Sequence, residues 1–329
     1  MLEPFSNNTK QRGETAIMGM ALIFPGQGSQ HVGMGVDLAN SFKSAREVFD
    51  EVDDALDQKL FKLISEGPED ELRLTENAQP ALMAVSLAAI NALHKEFHVR
   101  AQRFDYLAGH SLGEYSALAA ADALSIGETA QLLKRRGEAM QRAAPVGEGA
   151  MAALLGADYD QANRACAAGS NMGVCEIAND NAPGQIVISG SKPAVERALD
   201  AAKSLGVKKA MLLPVSAPFH CALMRPAAEE MQAALNSVRF RMLKAPIVSN
   251  VSAHSEDDPE RIAKLLVEQV TGRVRWRESV EWMSESGVDQ FIEVGAGKVL
   301  TGMVKRIAPS ATLTTINKPE ELEAFAESL

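Results

Sequence analysis

Apolar residues follow two rhythms along this chain, and together they outline its architecture. Short, nearly unbroken apolar runs at Ala21 to Phe24, Phe104 to Ala108, Ala245 to Ser249, Gln290 to Val294 and Thr312 to Ile316 have the length of buried strands. Between them, apolar residues recur every three or four positions over Ser44 to Leu56, Gln58 to Ile64, Gln79 to Phe97, Leu112 to Ala123, Ile126 to Ala143, Pro226 to Leu235, Glu260 to Gln269 and onward from Lys298 to Arg306, which predicts helices. Strands interleaved with helices on this scale predict a mainly parallel sheet covered on both faces.

A different order runs through the middle of the chain. Ala150 to Leu155 reads as a strand, Asp158 to Ala168 as a helix, Val174 to Ala178 and Gln185 to Ser189 as strands, Lys192 to Leu205 as a helix and Lys208 to Leu212 as a strand. Asn181-Ala182-Pro183-Gly184 supplies a hairpin turn between the two middle strands. That βαββαβ order predicts a small ferredoxin-like domain at 146–213, inserted between the two halves, 20–145 and 214–329, of a large α/β domain. Residues 1–19 have no apolar core of the secretory kind, and Glu3 and Glu14 do not suit a transit peptide, so they read as a flexible tail.

Composition narrows the function classes. With 329 residues, 46% hydrophobic and 23% charged, the chain can bury a large core without staples. Its formal net charge of −10 repels nucleic acid. The most apolar stretch, Ala78 to Leu93, is broken by Gln79, Pro80, Ser86 and Asn91, so no membrane span is expected. Three cysteines without metal-ligand spacing, Cys166, Cys175 and Cys221, suit reduced thiols in the cytoplasm and no metal site.

Candidate chemistry centres on Gly109-His110-Ser111-Leu112-Gly113. The pentapeptide follows a predicted strand and opens a predicted helix, the context of a G-x-S-x-G nucleophile elbow, which makes the large domain α/β-hydrolase-like. The N–H of Leu112, at the helix start, is placed to stabilise an oxyanion. A purely structural glycine turn has the same local pattern. A serine nucleophile also needs a base. His94 and His98 sit four apart on a predicted helix and read as solvated, His254 lies in the polar stretch Ser252 to Asp258, and the ring of His110 points away from the serine oxygen while lining the site. His220, in a stiff loop after Pro218, remains as the candidate base, against the plainer reading of a histidine satisfied by backbone in a turn. The Pro25-to-Gln30 loop is either a tight turn or an anion-facing backbone, and it lacks the Gly-Lys-Ser/Thr ending of a P-loop.

Taken jointly, Phe24-Pro25-Gly26-Gln27-Gly28-Ser29-Gln30, Gly109-His110-Ser111-Leu112-Gly113-Glu114-Tyr115, Arg136-Gly137, Pro218-Phe219-His220 and Val294-Gly295-Ala296-Gly297-Lys298-Val299-Leu300 resemble the malonyl-CoA:acyl carrier protein transacylases of fatty-acid synthesis and the acyltransferase domains of polyketide synthases. The motifs occur in that family's order from about residue 20 to the C-terminus. The resemblance implies an [acyl-carrier-protein] S-malonyltransferase that carries the malonyl group on Ser111, with His220 as general base in a dyad. It implies an oxyanion hole made by the backbone N–H groups of Gln30 and Leu112, and a backbone carbonyl at Gln269 that orients the histidine. Arg136 is implied as the partner of the substrate carboxylate, with Phe219 and His110 also lining the acyl site; a bulky residue at 219, where some bacterial members have serine, leans toward unbranched malonyl units. No cofactor is implied, the partners are malonyl-CoA and acyl carrier protein, and a cytoplasmic monomer is expected.

Two other readings stand beside it. A serine thioesterase of α/β-hydrolase type shares the elbow and passes the acyl group to water, and abundant acidic residues between Ser111 and His220 leave its Ser, acid, His order open. A non-catalytic carrier-protein docking module is a third possibility, and a stand-alone polyketide acyltransferase would share the chemistry of the first. Because carrier proteins are acidic and this chain is too, docking requires a local basic patch, for which Lys208 and Lys209, or Arg273, Arg275 and Arg277 around Trp276, are candidates.

Overall fold

The apolar runs become the strands of two sheets in the computed structural model, which describes residues 19–145 and 147–329. In chain order the strands are β1 Gly19–Phe24, β2 Tyr106–Gly109, β3 Gly149–Leu155, β4 Cys175–Ala182, β5 Gln185–Ser191, β6 Lys209–Leu212, β7 Ile247–Val248, β8 Ser255–Glu256, β9 Val288–Val294 and β10 Thr312–Ile316. The expected tail at 1–19 lies outside the described residues up to 18, and Gly19 already belongs to β1.

The large sheet has the order β10-β9-β1-β2-β7-β8. Its first five strands are parallel and β8 is antiparallel at the edge. Alternation along β1 divides the core between two layers, as a sheet covered on both faces requires. Met20, Leu22 and Phe24 join the cluster that includes helix Thr75–Phe97, whereas Ala21 and Ile23 join Trp276, Val280 and Met283 on the other side.

The small sheet is antiparallel throughout, in the order β4-β5-β3-β6 of a ferredoxin-like unit. Helices Tyr159–Gly169 and Lys192–Ser204 cover one face over their own core of Leu154, Ile186, Ile188, Val195 and Leu199. From the same strands, Met151, Ala178 and Val187 belong to the main cluster, so the two sheets are packed together across that interface.

Several elements differ from the sequence reading. Helix Thr75–Phe97 starts four residues before Gln79, because Pro80 sits inside it and does not mark its first turn. Helices Trp276–Glu285 and Pro319–Glu327 were not anticipated, their apolar faces being short and interrupted by charge. Strand β4 runs four residues past Ala178 through Asn179, Asp180 and Asn181, which read as loop by polarity. All three are buried: the β4 backbone bridges to Val274 at Asn179, Asp180 pairs with Arg277, and Asn181 meets His110.

At the elbow the strand-to-helix step brings Gly113 against β1. A Cβ there would lie 2.3 Å from the carbonyl oxygen of Phe24 and 2.9 Å from that of Pro25, both fixed backbone. Gly113→Ala is therefore expected to destabilise the fold by about 1–3 kcal/mol or more, read from a lowered denaturant midpoint at unchanged slope. A wild-type midpoint would mean that the elbow helix can withdraw from β1.

Candidate active site

Ser111 stands between β2 and helix Gly113–Ala120 with φ 55°, in the left-handed region that a non-glycine residue occupies only when its surroundings hold it there. Two amide side chains distant in sequence do so, one from the turn after β7 and one from helix Pro259–Thr271. The Ser111 N–H donates to Asn250 Oδ1 at 2.7 Å, and Gln269 Nε2 donates to the Ser111 carbonyl at 3.0 Å. Asn250 Nδ2 also donates to the Gly109 carbonyl at 2.7 Å, closing the turn from the other side.

The Ser111 hydroxyl lies 2.8 Å from His220 Nε2, and His220 Nδ1 lies 2.9 Å from the backbone carbonyl of Gln269. A carbonyl can only accept, so Nδ1 carries the hydrogen and Nε2 is left to accept from the serine hydroxyl. Burial first, and the nearby Arg136 charge second, push the His220 pKa down to about 3 against the opposing pull of the Gln269 carbonyl. The imidazole is thus neutral at physiological pH, the state a general base requires.

Arg136 comes from helix Ile126–Ala143, whose start is fixed by a reciprocal Ser125 and Glu128 capping box. Its neighbour Gly137 presses directly on the start of helix Thr75–Phe97: a Cβ there would lie 2.6 Å from Glu76 Cα. This close approach accounts for the Arg-Gly pair in the sequence. The guanidinium is 1% exposed and donates to Gln79 Oε1 at 2.7 Å, Gln269 Oε1 at 2.8 Å and Ser111 Oγ at 3.1 Å. Arg135, one position earlier, faces outward and pairs with Glu230.

These groups open into a cavity of about 720 Å³ between the two sheets, a size suited to a small organic ligand. Gln30, His110, Leu112 and Phe219 line it with Ser111, Arg136 and His220. The Gln30 side chain folds back to accept from the Gly28 N–H at 2.7 Å. Among the described residues, no protein acceptor takes the N–H of Gln30 or of Leu112. His110 is turned from the serine as anticipated, its Nε2 being 2.8 Å from Asn181 Oδ1 of the small sheet. The glycine-rich motif after β9 serves folding: it lets buried Glu293 reach back to the N–H groups of Leu300 and Thr301 at the start of helix Val299–Ile307.

Sequence reasoning missed four side chains that the fold brings to the site: Gln79, Glu114, Asn250 and the amide of Gln269. Glu114 stood inside a motif that had already been singled out, and the others carry no local signature. In one candidate docking cluster, Arg273 and Arg275 both pair with Glu278, and Arg277 pairs with Asp180 and Glu281, so these half-buried arginines already have acidic partners within the chain. Among the described residues, no group of three or more His, Cys, Asp or Glu side chains is arranged to hold a metal ion, and no helix is long and apolar enough to cross a membrane.

A hydroxyl that can be acylated, and then freed by a second nucleophile using the same neutral base, defines a serine-dependent acyl-transfer enzyme. The chain belongs to the acyl transferase family: the family profile described as "Acyl transferase domain" matches residues 21–318. It is 43% identical over 311 residues to the malonyl CoA-acyl carrier protein transacylase of Bacillus subtilis, covering 94% of this chain and 97% of the relative. The acyl-carrier-protein-S-malonyltransferase of Bartonella henselae superposes with a TM-score of 0.93 at 53% identity, over 94% of this chain and 99% of that one. A malonyl-transacylase solved in complex with a type II PKS acyl-carrier protein superposes with a TM-score of 0.91 at 42% identity, over 94% and 100% of the two chains.

The histidine assignment has a direct spectroscopic consequence. Nitrogen chemical shifts of His220 should report a neutral ring protonated at Nδ1 down to about pH 5, well below the usual histidine midpoint. A midpoint near 6.5 would mean that burial and Arg136 do not control this ring.

Proposed function

We propose that the chain transfers the malonyl group of malonyl-CoA to the phosphopantetheine thiol of an acyl carrier protein through a malonyl ester on Ser111, supplying extender units for fatty-acid synthesis. The observation that carries the reading is the buried Arg136 guanidinium 3.1 Å from the Ser111 hydroxyl. An acyl group seated on Ser111 projects into the guanidinium's surroundings, and a terminal carboxylate there would gain charge-assisted hydrogen bonds that a methyl group cannot.

In the first half-reaction Ser111 Oγ attacks the thioester carbonyl while His220 Nε2 takes the hydroxyl proton. The oxyanion is met by the N–H groups of Leu112 and Gln30. Collapse expels the CoA thiolate, which receives the proton from His220 and leaves as the thiol. In the second half-reaction the carrier-protein thiol gives its proton to His220 and attacks the serine ester, and Ser111 recovers the proton. Thioester activation is conserved from donor to acceptor, so the chemistry needs no cofactor. A backbone carbonyl at His220 Nδ1, with no carboxylate there, supports transfer over a thioesterase of triad type. Buried, unpaired Cys166, Cys175 and Cys221 support a cytoplasmic setting.

Ser111→Ala should abolish formation of the acyl-enzyme detected by intact mass and the ping-pong transfer that depends on it; retained transfer would overturn the assignment. Arg136→Ala should cost malonyl transfer about 2–5 kcal/mol while leaving acetyl transfer little changed, and Arg136→Lys should recover only part of the loss. An unchanged ratio of kcat/KM for malonyl-CoA over acetyl-CoA would put selection elsewhere in the pocket.

The acceptor must reach Ser111 through the cavity mouth, flanked by half-exposed Leu74, Val215 and Val299. On the small-sheet side, Lys208 lies over Gly156, and Arg306 donates to the Pro183 carbonyl and Gln185 Oε1 beside the same turn. Lys208→Glu should therefore raise the KM for carrier protein several-fold at low salt and leave the KM for malonyl-CoA alone. An unchanged carrier-protein KM at low salt would remove this lip from the docking surface.

A further inference from the structure

Arg136 raises a question that its direct contacts do not answer. A guanidinium 1% exposed keeps its proton, yet its three partners, Gln79, Gln269 and Ser111, are all neutral, and its Nε has no partner. An isolated buried cation is expensive unless a counter-charge stands near. The carboxyl group buried with it is Glu114, 0% exposed on the elbow helix. The two are joined by one side chain: Gln269 Nε2 donates to Glu114 Oε2 at 2.7 Å, and Gln269 Oε1 accepts from Arg136 Nη2 at 2.8 Å. The amide can satisfy both groups in one orientation only, oxygen to the cation and nitrogen to the anion.

We propose that Glu114 is a positioning residue that serves as counter-charge to Arg136 in the unloaded enzyme, acting through the Gln269 amide, and that the malonyl carboxylate displaces it from this role, so that loading is coupled to protonation of Glu114. The inference rests on the malonyl reading above. Once a substrate carboxylate neutralises Arg136, Glu114 is a second anion on one cation in a dry site. Its surroundings are already close to balance. Burial pushes the Glu114 carboxyl up to about 7, against the N–H of Asn250, the Gln269 amide, Ser249 and the Arg136 charge. The other ionisable groups around the site are Tyr115, His110 and His220, and burial holds both histidines below their usual range. Glu114 Oε1 is buried without a partner, so the carboxylate has one oxygen that none of its neighbours stabilises.

Acylation itself releases no proton near neutral pH, because the serine proton leaves on the CoA thiol. Proton uptake on loading therefore reports the proposed step. In weakly buffered single turnovers near neutral pH, followed by a pH indicator and by intact mass, malonyl-CoA should draw a fraction of a proton per site from solution. Acetyl-CoA should draw none, and Glu114→Gln should abolish the malonyl-specific uptake. By linkage, malonyl loading of the wild type should tighten as pH falls toward about 7 and level off below it, and Glu114→Gln should lose that dependence. Malonyl-enzyme that forms without uptake would overturn the inference while leaving the proposed function intact; failure of malonyl-enzyme to form would overturn both. Should Glu114→Gln not fold, the wild type suffices: malonylation with carbon-13-labelled malonyl-CoA should add an unlabelled protonated-carboxyl band to the infrared difference spectrum, and its absence would refute the coupling.

Discussion

A serine forced into left-handed backbone between a parallel strand and a helix is the constraint on which the rest of this structure turns. The conformation exposes the hydroxyl, but it leaves the Ser111 N–H without a backbone acceptor, and the Ser111 carbonyl, which accepts from the Glu114 N–H at 3.0 Å, with room for a second donor. They are answered by Asn250 and Gln269, residues 139 and 158 positions away. The elbow is therefore a tertiary object. It exists only when β7 is paired with β2 and helix Pro259–Thr271 is in place, because the turn just after β7 supplies Asn250 and the helix itself supplies Gln269.

Gln269 shows how much one residue can organise. Its backbone carbonyl fixes the tautomer of His220, its amide nitrogen holds the Ser111 carbonyl and Glu114, and its amide oxygen holds Arg136. Base, nucleophile and cation thus share a single anchor, and movement of that anchor would disturb all three. The small sheet contributes in a different way. Its strand β4 carries three buried polar residues into the interface, and Asn181 among them ties His110 to the far wall of the cavity. Buried polar groups are costly unless they find partners, and those of Asp180 and Asn181 come from Arg277 and His110 of the large domain.

Much of this was legible from residues alone where the signal is local. The helix from Ile126 to Ala143 announces itself through regular apolar spacing, and its bounds agree with the structure. The βαββαβ order was readable because each strand contains an apolar stretch and glycine or proline marks the turns between elements. Helix Trp276–Glu285 was not, since it begins after Arg275 without a capping side chain and buries only Trp276, Ser279, Val280 and Met283 between charged residues. The same limit applies to the site. Ser111, His220 and Arg136 stand in motifs, whereas the roles of Asn250 and of the Gln269 amide arise from contacts across more than a hundred residues, which no local pattern encodes. The ion pairing of Arg277 was hidden for the same reason: its partner Asp180 is distant in sequence.

The placement of a cation beside the base has a consequence for selectivity beyond its direct contact with substrate. Arg136 and burial both hold down the proton affinity of His220. A base kept neutral in this way is available at any physiological pH, but it is also a weak one, because the factors that keep protons off it resist the transfer from Ser111. Burial is a fixed cost. The Arg136 contribution is not, because an acyl carboxylate lies directly on the guanidinium, where Glu114 reaches it only through the Gln269 amide, and so relieves more of the repulsion that the imidazolium would feel. A neutral acetyl group leaves that repulsion in place. On this reading, the same charge that recognises a malonyl group in the ground state also strengthens the base when such a group is present, so discrimination extends from binding into the proton-transfer step.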